Sequence, residues 1–333
     1  MYQEGLAVKG LELAEKYFEE VGKPMLLEKY PEYYERMAVG LVGQGSECFG
    51  FDDEISTDHD FGPAFCIWLN EEDYKQAGFK INMDYEKLPK EFMGVPSRIV
   101  TANGGGRVGV HEIGGFYQSF IGNRKVPESL LEWLYIPEGY LATATNGKVF
   151  VDNLGEFSKI RGKLLEFYPE DVRKKKIAAR AAVMAQAGQY NYARLMKRGE
   201  YVGASLALSE FIKNTISMVH LLNKKYMPFY KWSFRSMTTL PKLKEVQEKI
   251  NALATMEFQK EAWKTAGKSD YLYELNSKDK KVVLIEEICG LVVSELQAQN
   301  LTGKQEAFLE NHTMEIMSRI EDETIRARHV MEG

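Results

Sequence analysis

Three cysteines in 333 residues, Cys48, Cys66 and Cys289, are too few and too scattered for a disulfide scaffold. Long apolar runs are lacking as well. No stretch approaches the roughly 18 residues of a membrane-crossing helix, so none is expected. The opening "MYQEGLAVKG" has no basic segment leading into an apolar one, which excludes a secretory signal and makes the cytoplasm the expected location. Positive charge is not in excess either. With 43 Lys and Arg against 48 Asp and Glu, the formal charge is −5. That balance speaks against coating nucleic acid and leaves room only for a local basic pocket. Internal repeats and low-complexity tracts are missing too.

What is present divides into two textures. Residues 5–21 and 24–37 read as short helices, with Leu6, Leu11, Leu13, Ala14 and Phe18 following one face and Pro24 and Pro31 at helix starts. "MAVGLVGQG" then turns apolar like a buried strand running into glycines, and "FGPAFCIWL" is a second strand candidate. The segment "PSRIVTANGGGRVGVHEIGGFYQSFIG" predicts strand-like runs around a loop at Asn103–Gly106. From about residue 170 the apolar spacing becomes helical, and long helices are predicted through the rest, including Lys281–Gln299 and Lys304–Met331. Four or five helices of that length suit a bundle.

Residues 43–63, "GQGSECFGFDDEISTDHDFGP", carry the chemistry. Gly43, Gly45 and Ser46 follow a predicted strand. Glycines there permit a close backbone approach, and free amides with the serine hydroxyl can hold phosphate oxygens. The segment is no Walker loop, because the lysine of that motif is missing. In a strand, Asp58 and Asp60 would stand on one face with His59 turned away. Two carboxylates so placed repel unless a cation lies between them, and magnesium, which favours oxygen ligands, meets that need. The same residues serve equally well as an acidic loop with turn and cap residues. Asp52, Asp53 and Glu54 read as loop polarity or as supports for the aspartate pair, and Cys48 as a buried small side chain.

The segment resembles the signature of the nucleotidyltransferase superfamily that includes DNA polymerase beta, aminoglycoside and lincosamide nucleotidyltransferases and poly(A) polymerases. Its longer form is similar to a bacterial family termed DUF4037. That likeness continues through "WLYIPEGYLATATNGKVFVDNLGEF", "GQYNYARLMKRGE" and "LLNKKYMPFYKWSFR", so it spans roughly residues 35–240. It implies a nucleotidyltransferase-like mixed β-sheet with flanking helices in the first half; with the change of periodicity near residue 170, the expected chain is α+β, with that domain over residues 1–165 and an all-α helical domain over 166–333. By position, Gly45 and Ser46 match the phosphate-binding Gly-Ser, and Asp58 and Asp60 match the metal-binding aspartates. Here Ser46 and Asp58 are twelve positions apart, slightly more than in the common pattern.

Active members of that superfamily add a third carboxylate from a neighbouring strand. Glu112 in "GRVGVHEIGGF" is the best match and Asp84 in "KINMDYEKL" the runner-up. His111 serves either to orient a carboxylate or contact phosphate, or as a structural histidine. The implied activity is transfer of a nucleoside monophosphate from ATP or another NTP, with Mg²⁺ or Mn²⁺, to a small hydroxyl-bearing acceptor. A nucleotide-binding protein without catalysis is the alternative.

In the helical half, "HLLNKKYMPFYKWSFRSM" gathers cations and aromatics. Lys231 and Arg235 are candidates for contacting nucleotide, and Tyr230, Glu210 and Asn214 for contacting the acceptor. Glu210, Asn214 and Ser217 share one helix face. The run "RKKK" at 173–176 begins a helix, where positive charge opposes the dipole; it reads as a solvated basic surface, with compensation by acidic partners or a phosphate-bearing ligand as the alternative.

Overall fold

The computed structural model describes residues 8–57, 61–98, 106–264 and 276–333. Asp58 and Asp60 lie outside the described residues, as does most of the Asn103–Gly106 loop. The chain divides into two compact units, residues 1–127 with 136–166 and residues 128–135 with 167–333.

The first unit is built on a four-stranded mixed sheet. Strand β1 (Ala38–Leu41) and strand β2 (Cys66–Leu69) are buried along their whole length. A two-stranded ribbon follows, β3 (Glu91–Phe92) and β4 (Val95–Pro96). Its turn, Met93–Gly94, has positive φ at both residues, the primed geometry whose twist suits a tight hairpin. Strands β5 (Gly109–Glu112) and β6 (Lys148–Asp152) complete the main sheet in the order β5-β2-β1-β6. β1 runs antiparallel to β2 and β6, and β2 runs parallel to β5.

Alternation along the strands gives the sheet two different faces. Val39, Ile67 and Val110 are in register and turn toward the amino-terminal helices, where Phe18, Leu26, Phe65 and Ile81 fill the core. Trp68 and His111 turn the other way. There Trp68 stacks on Phe157 at 4.0 Å between ring centroids and meets Phe116 edge-on at 5.3 Å. The amino-terminal helices are more broken than the periodicity predicts: Gly10–Tyr17 passes through a wide turn, Phe18–Gly22, into Lys23–Lys29, and Pro31–Tyr34 is a single turn. Gly22, which ends the wide turn, packs against Phe65, where a Cβ would fall 2.3 Å from the ring.

The strand-like reading of "GRVGVHEIGGFYQSFIG" holds only as far as Glu112. From Ile113 to Ile121 the chain is helical, because the Glu112 carboxylate accepts from the amides of Gly114 at 2.8 Å and Gly115 at 2.6 Å. An acidic cap satisfies two amides that the first helical turn leaves open.

The second unit is all-helical. Its longest elements are Glu170–Met184, Tyr201–Leu222 and Lys280–Ala298. A single long helix over Lys304–Met331 does not form. Glu310–Ser318 and Glu323–Arg326 replace it, because Asp171 Oδ2 takes the amides of Glu321 and Asp322 and Asp322 itself caps the second helix. The solvated reading of the basic run 173–176 is corrected as well, in favour of internal partners that include the acidic Glu170 and Asp171. Arg173, Lys175 and Lys176 are buried and tethered internally. Arg173 pairs with Glu170, Lys175 donates to the carbonyls of His329, Val330 and Glu332, and Lys176 donates to that of Leu134. Burial pulls the Lys175 ammonium down to about 8. Periodicity alone does not show that these cations end backbone segments inside the unit rather than facing water.

Candidate functional site

Strand β1 leads through Val42 into the turn Gly43–Ser46. Gly43 (φ 126°) and Gly45 (φ 130°) both take a backbone conformation that side chains disfavour. Ser46 opens a short 3₁₀ turn, Glu47–Phe49, and its carbonyl accepts from Phe49 and Phe51. The Ser46 side chain makes no capping hydrogen bond, which leaves its hydroxyl available to a ligand. Asn146 holds the start of the turn from across the sheet. Its side chain accepts from the Gly43 amide at 2.9 Å and donates to the Gly43 carbonyl at 2.8 Å. Arg161 in turn donates to the carbonyls of Thr145, Asn146 and Gly147, fixing the corner that carries Asn146.

A buried ion pair underlies the turn. Glu47 Oε1 lies 2.9 Å from Arg98 Nη2, and their side chains are 3% and 9% exposed. The Glu47 carboxylate packs against Gly45, where a Cβ would fall 2.5 Å from Oε2. Arg98 therefore cancels a negative charge that would otherwise oppose any phosphate at the turn. Nearby, Asp52 is buried and accepts from the Gly10 amide at 2.8 Å, so it caps the first described helix. Asp53 closes a local turn with Ser56. Cys48 is buried, and burial pushes its thiol well above the usual range, which fits packing rather than reactivity.

Gly45→Ala is expected to cost about 2–4 kcal/mol, from backbone strain plus displacement of the Glu47 carboxylate. Gly50 provides the control. Its φ is also positive, at 70°, but a Cβ there meets nothing within 4 Å, so Gly50→Ala is expected to cost only about 1 kcal/mol. Urea unfolding of both variants checks the difference, and equal losses would show that Glu47 does not constrain Gly45.

Glu112 ends β5 beside Leu69, the last residue of β2. Besides its two capping contacts, its carboxylate receives Arg124 Nη2 at 2.7 Å. Asp84 sits on the helix Phe79–Tyr85 rather than on a strand. Tyr30, Lys29 and Lys87 surround it, and hydrogen bonds from Lys87 and Tyr30 hold its carboxyl far below the ordinary range. His111 faces the opposite side of the sheet from Val110, 6.0 Å from the Phe116 ring centroid. Burial lowers its pKa to about 4, so the imidazole is neutral near pH 7.

The remaining candidates belong to the second unit. Tyr230, Lys231 and Arg235 share the helix Tyr230–Met237. Tyr230 is 88% exposed, and the Lys231 and Arg235 cations lie 5.1 and 5.9 Å from the Trp232 ring centroid. Asn214 is buried and donates to both the carbonyl and the carboxylate of Glu210. Ser217, one turn on, is buried and accepts from Arg180. The Glu210–Asn214–Ser217 stripe is thus partly a set of internal tethers.

Among the described residues no group of three or more metal-ligating side chains comes together. Asn146, Arg98 and Arg161 escaped the sequence reading. Only the turn signal Asn-Gly at Asn146–Gly147 hinted at the first, and the other two are ordinary basic residues until the fold places them.

The family model described as Domain of unknown function (DUF4037) matches residues 133–233. The resemblance to that family therefore stands for this stretch, which includes Asn146 and the helix after residue 200 and leaves "GQGS" and "DHD" outside. No curated protein matches the chain. A solved nucleotidyltransferase-like protein from Exiguobacterium sibiricum 255-15 aligns at 9% identity over 92% of this chain and 81% of its own, with a TM-score of 0.36. No helix among the described residues is long and apolar enough to cross a membrane.

Proposed function

We propose that the chain is a metal-dependent nucleotidyltransferase that moves a nucleoside monophosphate, AMP by default, from an NTP to a small hydroxyl-bearing acceptor. The observation that carries this reading is the turn Gly43–Ser46. It joins two glycines with positive φ, an Asn146 clamp and a serine hydroxyl with no capping bond after a buried strand, twelve residues ahead of Asp58, and in this reading it is the phosphate cradle. In this reading Gly45 and Ser46 hold the β- and γ-phosphates, and Asp58 and Asp60 hold Mg²⁺ or Mn²⁺. Such an ion suits the donor chemistry, two carboxylates with phosphate oxygens, and when bound it neutralises phosphate charge. The acceptor oxygen bonds to the α-phosphorus, the bond to the β-phosphate oxygen breaks, pyrophosphate departs, and the hydroxyl proton passes to a carboxylate or to water. Lys231 and Arg235 are assigned to the nucleotide, and Glu210, Asn214 and Tyr230 to the acceptor. Domain limits of 1–165 and 166–333 and a cytoplasmic location belong to the same reading.

Glu112 favours a second reading. Its carboxylate already serves two amides and Arg124, so service as a third metal ligand or base falls to the one acceptor site left on Oε1 or takes the place of Arg124. A protein in which it stays a cap binds nucleotide without transferring it.

Calorimetry with ATP, GTP, CTP and UTP, with and without Mg²⁺, tests the site. Asp58→Ala/Asp60→Ala is expected to abolish metal-dependent binding with little loss of thermal stability, since separating like charges costs the apo protein nothing. Unchanged affinity in that variant would remove the assignment. Isotopically labelled ATP, incubated with protein, Mg²⁺ and a metabolite extract, should yield a product carrying a nucleotidyl group. Glu112→Gln retains an oxygen for the cap. Product lost with binding kept makes Glu112 catalytic, whereas no product from either protein supports the binding-only reading.

A further inference from the structure

A cavity of about 490 Å³ opens beside the glycine turn, within the first unit. Val42, Gly43 and Gln44 form one wall, and Phe116 and Phe120, from the helix that Glu112 caps, form another. His111 lines it too, and its Nε2 is buried with no hydrogen-bond partner among the described residues. Phe116 and Phe120 meet at 5.1 Å between centroids, tilted by 66°. The carboxylate on this wall, Glu112, is neutralised by Arg124.

The cavity shares consecutive residues with the proposed phosphate cradle. Gly43 and Gln44 line the one, and Gly45 and Ser46 the other. A single ligand filling both would carry phosphates at one end and a flat group, apolar on its faces and polar on its edge, at the other. We infer that this cavity seats the nucleobase of the nucleotide, with the Phe116 and Phe120 rings against the base and His111 Nε2 hydrogen-bonded to its edge. The inference rests on the nucleotide reading above and adds base selection to it. Aromatic rings accept the face of any base, so preference among bases would come from the edge contact. A buried ring nitrogen without a partner costs stability until something pairs with it, and a base that pairs with it is favoured over one that does not. Since solvent does not reach Nε2 in the unliganded cavity, base entry includes a small side-chain shift at His111.

Two probes separate this inference from the phosphate assignment. Inorganic tripolyphosphate with Mg²⁺ reports the cradle alone, by calorimetry. The four nucleosides without phosphate report the cavity alone, by saturation-transfer NMR. In the wild type, one NTP should bind at least about tenfold more tightly than tripolyphosphate, the scale of one base stack. Phe120→Ala, at the less buried ring, should remove most of that advantage, and His111→Phe should flatten the differences among the four NTPs. Neither should change tripolyphosphate affinity. Nucleoside signals lost in both variants, with no tripolyphosphate binding in any protein, would uphold the cavity and overturn the cradle. Tripolyphosphate binding with no nucleoside signal, or with NTP affinities unmoved by both variants, would overturn the cavity. Neither ligand binding would overturn both.

Discussion

Arg98→Ala is expected to destabilise the first unit by about 3–5 kcal/mol, the usual penalty for leaving one partner of a buried ion pair without the other. Glu47 and Arg98 are both almost fully enclosed, and their contact is 2.9 Å. Without the guanidinium, the Glu47 carboxylate is left in a nearly dry environment against Gly45, where it must either take up a proton or pull the turn open toward water. Glu47→Leu/Arg98→Ala should be less damaging than Arg98→Ala, because the stranded charge is gone. Hydrogen exchange at the amides of β1 and β2 reads the stability of this unit by itself, avoiding the assumption that two units unfold as one. An Arg98→Ala loss below about 1 kcal/mol would mean that the pair behaves like a solvent-screened surface bridge. In the nucleotide reading, affinity for tripolyphosphate should fall in the single variant and partly recover in the double one, since the anion beside the cradle is exposed in the first and absent in the second.

The other large effect is expected at Gly147. Its φ is +64°, and a Cβ there would fall 2.0 Å from the carbonyl oxygen of Leu41. The obstacle is backbone, which cannot rotate away like a side chain. Gly147 also donates its amide to the Cys48 carbonyl at 2.7 Å, and Gly40 leaves equally little room opposite Lys148. Strands β1 and β6 therefore leave no room for a side chain at Gly40, where their register shifts, or at Gly147, just before β6 begins. Gly147→Ala combines a left-handed backbone penalty of about 1–2 kcal/mol with an overpacking cost of about 1–3 kcal/mol, for a total of about 2–5 kcal/mol. It also moves Asn146, so the Gly43 amide should lose protection from exchange first. Gly122→Ala, with φ 75° and nothing within 4 Å of the added carbon, is the matched control and should lose only the smaller backbone term. Equal stability of the two variants, with Gly43 still protected, would show that β6 yields easily and that Gly147 is not what keeps Asn146 in place.

The overall division was legible because periodicity reports burial. "MAVGL" and "FCIWL" are continuous apolar runs, and both are wholly buried strands in the sheet. Tyr201–Leu222 and Lys280–Ala298 keep helical spacing, and both are helices. The glycines of the turn were legible for a different reason, since a strand that ends in Gly-x-Gly-Ser needs a backbone path that side chains obstruct.

Elsewhere the local pattern was ambiguous, and contacts distant in sequence settled it. Residues 109–121 fall in a segment with strand-like runs, and only the Glu112 carboxylate, turned onto the amides of Gly114 and Gly115, marks where strand gives way to helix. The basic run 173–176 looks like solvated surface until carbonyls from residues 329–332 end on Lys175. By itself, then, the sequence determined the order of a mixed sheet and a helical unit, the place of the glycine turn and the pair of aspartates after it. These depend on residue type and short spacing. The tertiary structure alone decided that Asn146 clamps Gly43, that Arg98 neutralises Glu47 beneath the turn, and that Glu112 is held by Arg124. Each of those contacts joins residues 12 to 103 positions apart. A hydrogen bond or ion pair over such a distance has no local signature, because its partners are chosen by packing rather than by their neighbours in the chain.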